Sequence, residues 1–148
     1  MFKAVTTYDL KDVEEVFQKN PQSVNEKDEN GLPPLYIAAM YGNREAVNFL
    51  LGNGATLDIF SCAYLCKNTE GEELLKNKPA LVHSTTNDGR TALHYAAEKG
   101  NYAFAEILVR YDADVNVSDN ASRTPLMEAF PWRALERRSC CKYYRPSC

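Results

Sequence analysis

The chain is poor in the side chains on which most enzymes and metal proteins depend. Its 148 residues include one tryptophan and two histidines, His83 and His94. Histidine is the group most readily used for proton transfer or metal binding near neutral pH, so candidates for that chemistry are few. Cysteine is scarce in the body of the chain, where only Cys62 and Cys66 occur; Cys140, Cys141 and Cys148 crowd into the end. Five is an odd number, and the spacing is not that of a secreted disulfide framework. An intracellular, cytoplasmic compartment that keeps thiols reduced is expected. No stretch approaches the roughly 18 consecutive apolar residues of a membrane span. The opening "MFKAVTTYDLKDVEE" lacks the apolar core of a secretory signal and reads as an amphipathic helix. G-x-S-x-G, G-x-G-x-x-G and phosphate-loop patterns are absent.

What is present describes a folded chain with 45% hydrophobic and 25% charged residues. The net charge of −3 gives no reason to expect nucleic acid as a partner. That total hides an asymmetry. Residues 131–148 carry Arg133, Arg137, Arg138, Lys142 and Arg145 against Glu136 alone, or +4, which leaves −7 on the rest of the chain.

The chain also matches itself. "NGLPPLYIAAMYGN" (30–43) lies over "DGRTALHYAAEKGN" (88–101) at an offset of 58, pairing Leu35 with Leu93, Ala38 and Ala39 with Ala96 and Ala97, and Gly42 with Gly100. The same offset pairs Glu14 and Glu15 with Glu72 and Glu73, Pro21 with Pro79, Leu50 with Leu108 and Ala55 with Ala113. Residues 1–58 and 59–116 thus read as two copies of a unit holding two helical hairpins. The stretch "DGRTALHYAAEKGN…AEILVRYDADVNVSD" resembles an ankyrin repeat, with Ala92 where the family's core pattern has proline. The spacing from Gly89 to Ser122 matches the family's period of about 33 residues. The resemblance covers roughly residues 1–130 and implies an all-α ankyrin-repeat α-solenoid of paired antiparallel helices with short β-hairpin fingers. The units expected are 1–28, 29–57, 58–86, 87–118 and a partial 119–130, followed by a basic tail, 131–148.

The residues support this without the family. Leu93, Ala96 and Ala97 share one helix face, and Phe104, Ile107 and Leu108 form a second. Thr91 can cap the first helix and Gly100 can end it. Asp112 stands where the other copy has Gly54, and aspartate tolerates left-handed backbone. Helices are expected at 2–8 with 10–19, 33–41 with 43–52, 59–66 with 69–77 and 91–99 with 101–110, with another from 124. There are departures. Tyr8 and Cys66 occupy the glycine position before a second helix. "NGATLDIF" leaves no room for a finger ahead of the third unit. Pro131 should stop the last helix, and the tail has no apolar period for a partner helix; Trp132 and Leu135 either fold back over it or belong to an altered end.

His94 has Tyr36 as its counterpart, a poor metal ligand, and the resemblance implies a structural ring that hydrogen-bonds within the finger region. His83 is expected in a turn or on the surface. Cys62 replaces Ala4 and reads as a small core residue, so neither a metal nor a cofactor is expected, and no catalytic constellation is visible. Glu14–Glu15 and Glu72–Glu73 are expected at helix starts, as solvated faces. The tail "RRSCCKYYR" is either disordered, the preferred reading, or a membrane contact if Cys140 and Cys141 are acylated.

The resemblance implies non-catalytic binding of another protein through finger tips and the exposed face of each first helix. The matching positions are Glu29, Asn30, Leu32, Met40, Tyr41, Phe60, Asn87, Asp88, Arg90, Glu98, Lys99, Ser118, Asn120 and Arg123. Leu32, Met40, Tyr41 and Phe60 give this surface an apolar part; the rest is polar. The competing readings are a subunit or fragment of a larger ankyrin assembly, self-associating weakly through an open C-terminal face, and an enzyme or metal protein built on the array.

Overall fold

The computed structural model describes residues 1–6 and 9–129. Nine α-helices occur among them: α1 Phe2–Val5, α2 Leu10–Lys19, α3 Pro34–Met40, α4 Arg44–Gly52, α5 Ile59–Leu65, α6 Asn68–Asn77, α7 Ala92–Lys99, α8 Tyr102–Arg110 and α9 Pro125–Glu128. Short 3₁₀ segments, Pro79–His83 and Pro21–Val24, follow α6 and α2. No sheet forms among the described residues. The finger before α7 carries a single antiparallel bridge, Thr85 to Thr91. The fold is the all-α ankyrin arrangement expected, and the helices fall where the offset and the apolar periods put them. Residues 7 and 8, the end of the first expected helix, lie outside the described residues, as does everything from 130 onward, including Pro131, Trp132, Leu135, Cys140 and Cys141.

The chain packs as two compact units, Met1–Leu57 and a second beginning at Asp58. That division falls next to the boundary between the sequence copies. In the first unit α1 packs on α2 and α3, and α3 packs on α4. Val5, Val13, Leu35, Ala38, Ala39, Ala46, Val47 and Leu50 are buried there. In the second, α7 packs on α5, α8 and α9, and α6 packs on α5 and α8. Its core holds Cys62, Tyr64, Leu65, Leu75, Tyr95, Ala96, Phe104 and Leu108. Burial pushes the Cys62 thiol up to about 12, with Asp58 adding to the effect, which fits a core residue and not a reactive one.

Four helix starts have a side-chain cap of the same kind. Asp9, Asn43, Asp58 and Asn101 accept from the backbone N–H groups of Lys11, Ala46, Ser61 and Phe104, filling the free donors of the first turn. The turns after α5, α7 and α8 use left-handed backbone, and glycine is not always there to supply it. Gly100 has φ 66°, but Cys66 takes φ 57° and Asp112 φ 65° in the same role. The turn after α5 therefore survives its cysteine.

One expectation about the helices is corrected. Glu14–Glu15 and Glu72–Glu73 lie in the middle of α2 and α6, not at their starts, where Asp12 and Glu70 sit instead. Glu15 faces Lys19 at 3.9 Å and Glu72 faces Lys76 at 3.8 Å, one turn on. Such exposed pairs contribute about 0.3–0.5 kcal/mol.

The two copies also exchange bulk. Val13 and Ala46 of the first correspond to Gly71 and Phe104 of the second, and all four are buried. A Cβ added at Gly71 would overlap the Phe104 ring and press on Cys62. Glycine in α6 is thus the condition for a phenylalanine in α8.

Candidate functional site

Each finger is a turn closed by the same hydrogen bonds. The N–H groups of Asp28, Thr86 and Asp119 donate to the carbonyls of Leu32, Arg90 and Arg123, at 2.9, 3.0 and 2.9 Å. Asp28 and Asp119 also turn a carboxylate oxygen inward to accept from the N–H of Leu32 and Arg123, at 2.8 and 2.9 Å. Neighbouring tips are tied together. Asn120 donates its backbone N–H to the Asp88 carbonyl at 2.9 Å and its side-chain amide to the Asn87 carbonyl at 3.0 Å. Gly89 lies so close beneath Asn120 that a Cβ would meet its side chain at 2.6 Å.

His94 belongs to this scaffold. It is fully buried on α7. Its Nδ1 accepts from the Thr91 N–H at 3.2 Å and faces the Thr91 hydroxyl at 3.0 Å, in a capping box where Glu or Gln is usual. Its Nε2 faces the Arg123 carbonyl at 2.9 Å. A carbonyl only accepts, so Nε2 carries the proton and the ring is neutral. Burial holds the imidazole below its ordinary range, against the pull of the Arg123 hydrogen bond, and the nearby Arg90 charge lowers it further. The imidazole thus fastens α7 to the next finger. His83 ends the 3₁₀ segment before the finger and is exposed.

Of the candidate positions, Glu29, Asn30, Met40, Tyr41, Asn87, Asp88, Ser118, Asn120 and Arg123 are exposed, and Glu98 and Lys99 are half-buried. Met40 and Tyr41, at 42% and 46% exposed, give the first unit an apolar edge at the end of α3. Three positions are not on the surface. Leu32, Phe60 and Arg90 keep only 9%, 7% and 9% of their accessible area. Phe60 stands edge-on to the Tyr95 ring, centroids 5.9 Å apart. Arg90 lays its guanidinium 4.3 Å from the centre of the same ring. Leu32 and Arg90 occupy one repeat position, the last residue of the finger, where the chain turns inward.

Arg90 is also the centre of an ionic chain invisible in the local pattern. It reaches Glu98 at 2.8 Å and Glu128 at 3.6 Å; Arg123 reaches Glu128 at 3.1 Å and Asp119 at 2.8 Å. Burial is the largest single influence and works against the Arg90 charge, but the Glu98 hydrogen bond together with the charges of Glu98, Tyr95 and Glu128 outweighs it and the net shift is upward. Lys99 sits 3.7 Å above the centre of the Tyr64 ring. Arg90, Glu98, Lys99, Asn120 and Arg123 therefore all serve the scaffold, whatever else they do. The repeat pattern does not single out Tyr102 and Val109, which are exposed on one stripe of α8. Among the described residues no group of three His, Cys, Asp or Glu is placed to hold a metal, and no helix is long and apolar enough to cross a membrane.

Comparison with known proteins agrees with this geometry. A family model described as "Ankyrin repeats (3 copies)" matches residues 59–143, and one described as "Ankyrin repeats (many copies)" matches residues 13–51. The chain is 33% identical over 103 residues to a Fowlpox virus (strain NVSL) protein named as an ankyrin repeat protein, a match covering 62% of this chain and 30% of that one. It is 25% identical over 130 residues to the Saccharomyces cerevisiae protein named "Probable 26S proteasome regulatory subunit p28", covering 79% of this chain and 57% of that one. It is 33% identical over 102 residues to Homo sapiens inversin, covering 62% of this chain and 10% of that protein. The chain thus spans well under two thirds of each of these relatives. Ankyrin repeats are in general non-catalytic protein–protein interaction modules. By the finger turns, the paired helices and the family match over more than half its length, this chain belongs to the ankyrin repeat family.

Proposed function

We propose that the chain is a non-catalytic module that binds another protein through its fingers and the exposed ends of its first helices, and that it works in the cytoplasm. Residues 1–130 form the binding domain in this reading, and 131–148 a separate basic tail. In the first unit the contact residues are Glu29, Asn30, Met40 and Tyr41. In the second they are Asn87, Asp88, Glu98, Lys99 and Ser118. The observation that carries the reading is the division of labour in the fingers before α3 and α7: the last residue, Leu32 or Arg90, turns into the protein, while Glu29 and Asn30, or Asn87 and Asp88, stay exposed at the tip. Exposed aromatic and sulfur-containing side chains at Tyr41 and Met40 supply the apolar contact on which binding energy usually concentrates.

The test compares two faces of one unit. Asp88→Lys should remove a captured partner that Glu106→Lys, on the outer helix α8, retains. The reverse pattern would sink the proposal.

A second reading is weak self-association through α9. Leu126 and Met127 are exposed there, at the repeat positions of the covered Leu93 and His94. In light scattering this reading requires a concentration-dependent mass that Leu126→Asp abolishes.

A further inference from the structure

In the second unit a solvent-open cavity of about 170 Å³ lies where the 3₁₀ segment Pro79–His83, the base of the finger before α7 and the turn after α8 meet. Val82 is buried and Ala113 and Val117 are half-buried, so the inner lining is apolar. His83, Thr85 and Asp114 are exposed and put polar groups at the mouth. Pockets for small molecules run to roughly 300–1,000 Å³, so this volume suits one side chain and not a cofactor.

Asp114 decides which side chain. Its Oδ1 accepts from the Asn116 N–H at 2.8 Å, which leaves one carboxylate oxygen open. Among the described residues no lysine or arginine pairs with this carboxylate. The charge is particular to the second unit. At the offset of 58 the first copy has Thr56 in place of Asp114 and Lys27 in place of Thr85. Thr56 is also engaged, donating its backbone N–H and its hydroxyl to the Asn25 side chain at 2.8 and 3.1 Å.

We propose that the cavity is a lysine site, which takes the side chain of a lysine from a partner polypeptide. The methylene stem packs on Val82, Ala113 and Val117, while the ammonium stays at the wet mouth and meets the open oxygen of Asp114. The Thr85 hydroxyl oxygen can accept a second ammonium hydrogen. Arginine fits less well, because its planar fork is best matched by both oxygens of a carboxylate, and one is already taken. An uncharged aliphatic chain of the same length keeps the stem contacts and leaves Asp114 without a counter-ion. The lining shares no residue with the contact set named for the fingers, so the two proposals fail independently.

Amide NMR spectra of the full chain at low ionic strength test it, with the N-acetyl, N′-methylamide derivatives of lysine, norleucine and arginine as probes. The Ala113, Asp114 and Val117 amides should move saturably with the lysine probe, at lower concentration than with arginine, and least with norleucine. Asp114→Asn keeps the acceptor for the Asn116 N–H and should abolish the preference for lysine over norleucine. Ala113→Leu fills the cavity and should abolish the response to all three probes. Equal responses to lysine and norleucine, a stronger response to arginine, no saturable shift with lysine, or a lysine preference that survives Asp114→Asn would each overturn the proposal.

Discussion

The side-chain amide of Asn101 donates to the carbonyl of Ala63 at 3.1 Å, far back along the chain. The bond is repeated in the other copy, where Asn43 donates to Val5 at the same 3.1 Å. In both, the amide oxygen caps the next helix, on Phe104 or Ala46. One asparagine thus starts the second helix of a pair and ties it to the first helix of the pair before. Asn101→Ala removes the cap and leaves the buried Ala63 carbonyl without its donor. It should destabilise the second unit by about 2–3 kcal/mol in urea unfolding. Asn101→Asp keeps the cap acceptor, loses the donor, and should fall between alanine and wild type.

His94 makes stability depend on pH in a defined direction. Its folded pKa lies below the ordinary 6.5 because burial penalises the cation. The unfolded chain therefore takes up a proton before the folded one does. The stabilisation is complete above pH 6.5 and is lost progressively as pH falls from there through the folded value. Urea midpoints should decline on acidification over that window. In His94→Gln, which cannot protonate, this part of the decline should disappear.

Gly71 and Phe104 should behave as a coupled pair. Gly71→Ala gains about 1 kcal/mol of helix propensity but drives a methyl group into the Phe104 ring, and overpacking of this kind costs about 1–3 kcal/mol. A net loss is expected. Phe104→Ala leaves a cavity and should cost about 3–5 kcal/mol. The double variant Gly71→Val with Phe104→Ala copies Val13 and Ala46 of the first unit, and should be markedly more stable than the sum of its singles. Additive losses in a double-mutant cycle would show that the two copies are not exchanging volume.

Cys66 holds a left-handed backbone that costs an ordinary side chain about 1–2 kcal/mol. Cys66→Gly removes that cost and raises the entropy of the unfolded chain, which offsets part of the gain. Thermal unfolding should show a small stabilisation, where glycine inside a helix would destabilise.

Most of the fold is legible in the sequence because its signals are local and repeated. Leu93, Ala96, Ala97 and Gly100 fix a helix and its end within one short stretch, and the copy at 35–42 repeats the pattern. Asp112 can be read as a glycine substitute from its place alone. The site is less legible. Arg90 looks like an exposed finger residue until Tyr95, Glu98 and Glu128 are brought around it, and Glu128 comes from the far side of the next finger. Leu32 and Phe60 look like apolar side chains the scaffold does not need, whereas both are buried. Glu14 and Glu15 are hard to place because a charge pair has no period; the N-cap Asp9 is the better marker of the α2 start.

If a partner protein lies on the fingers, hydrogen exchange of the chain, free and bound to a captured partner, reads it out without an intermediate assumption. Added protection is expected in residues 28–32, 86–90 and 117–123 and at the ends of α3 and α7, with α6 and α8 unchanged. Protection confined to α6 and α8, with the fingers exchanging as in the free chain, would contradict a finger-borne interface.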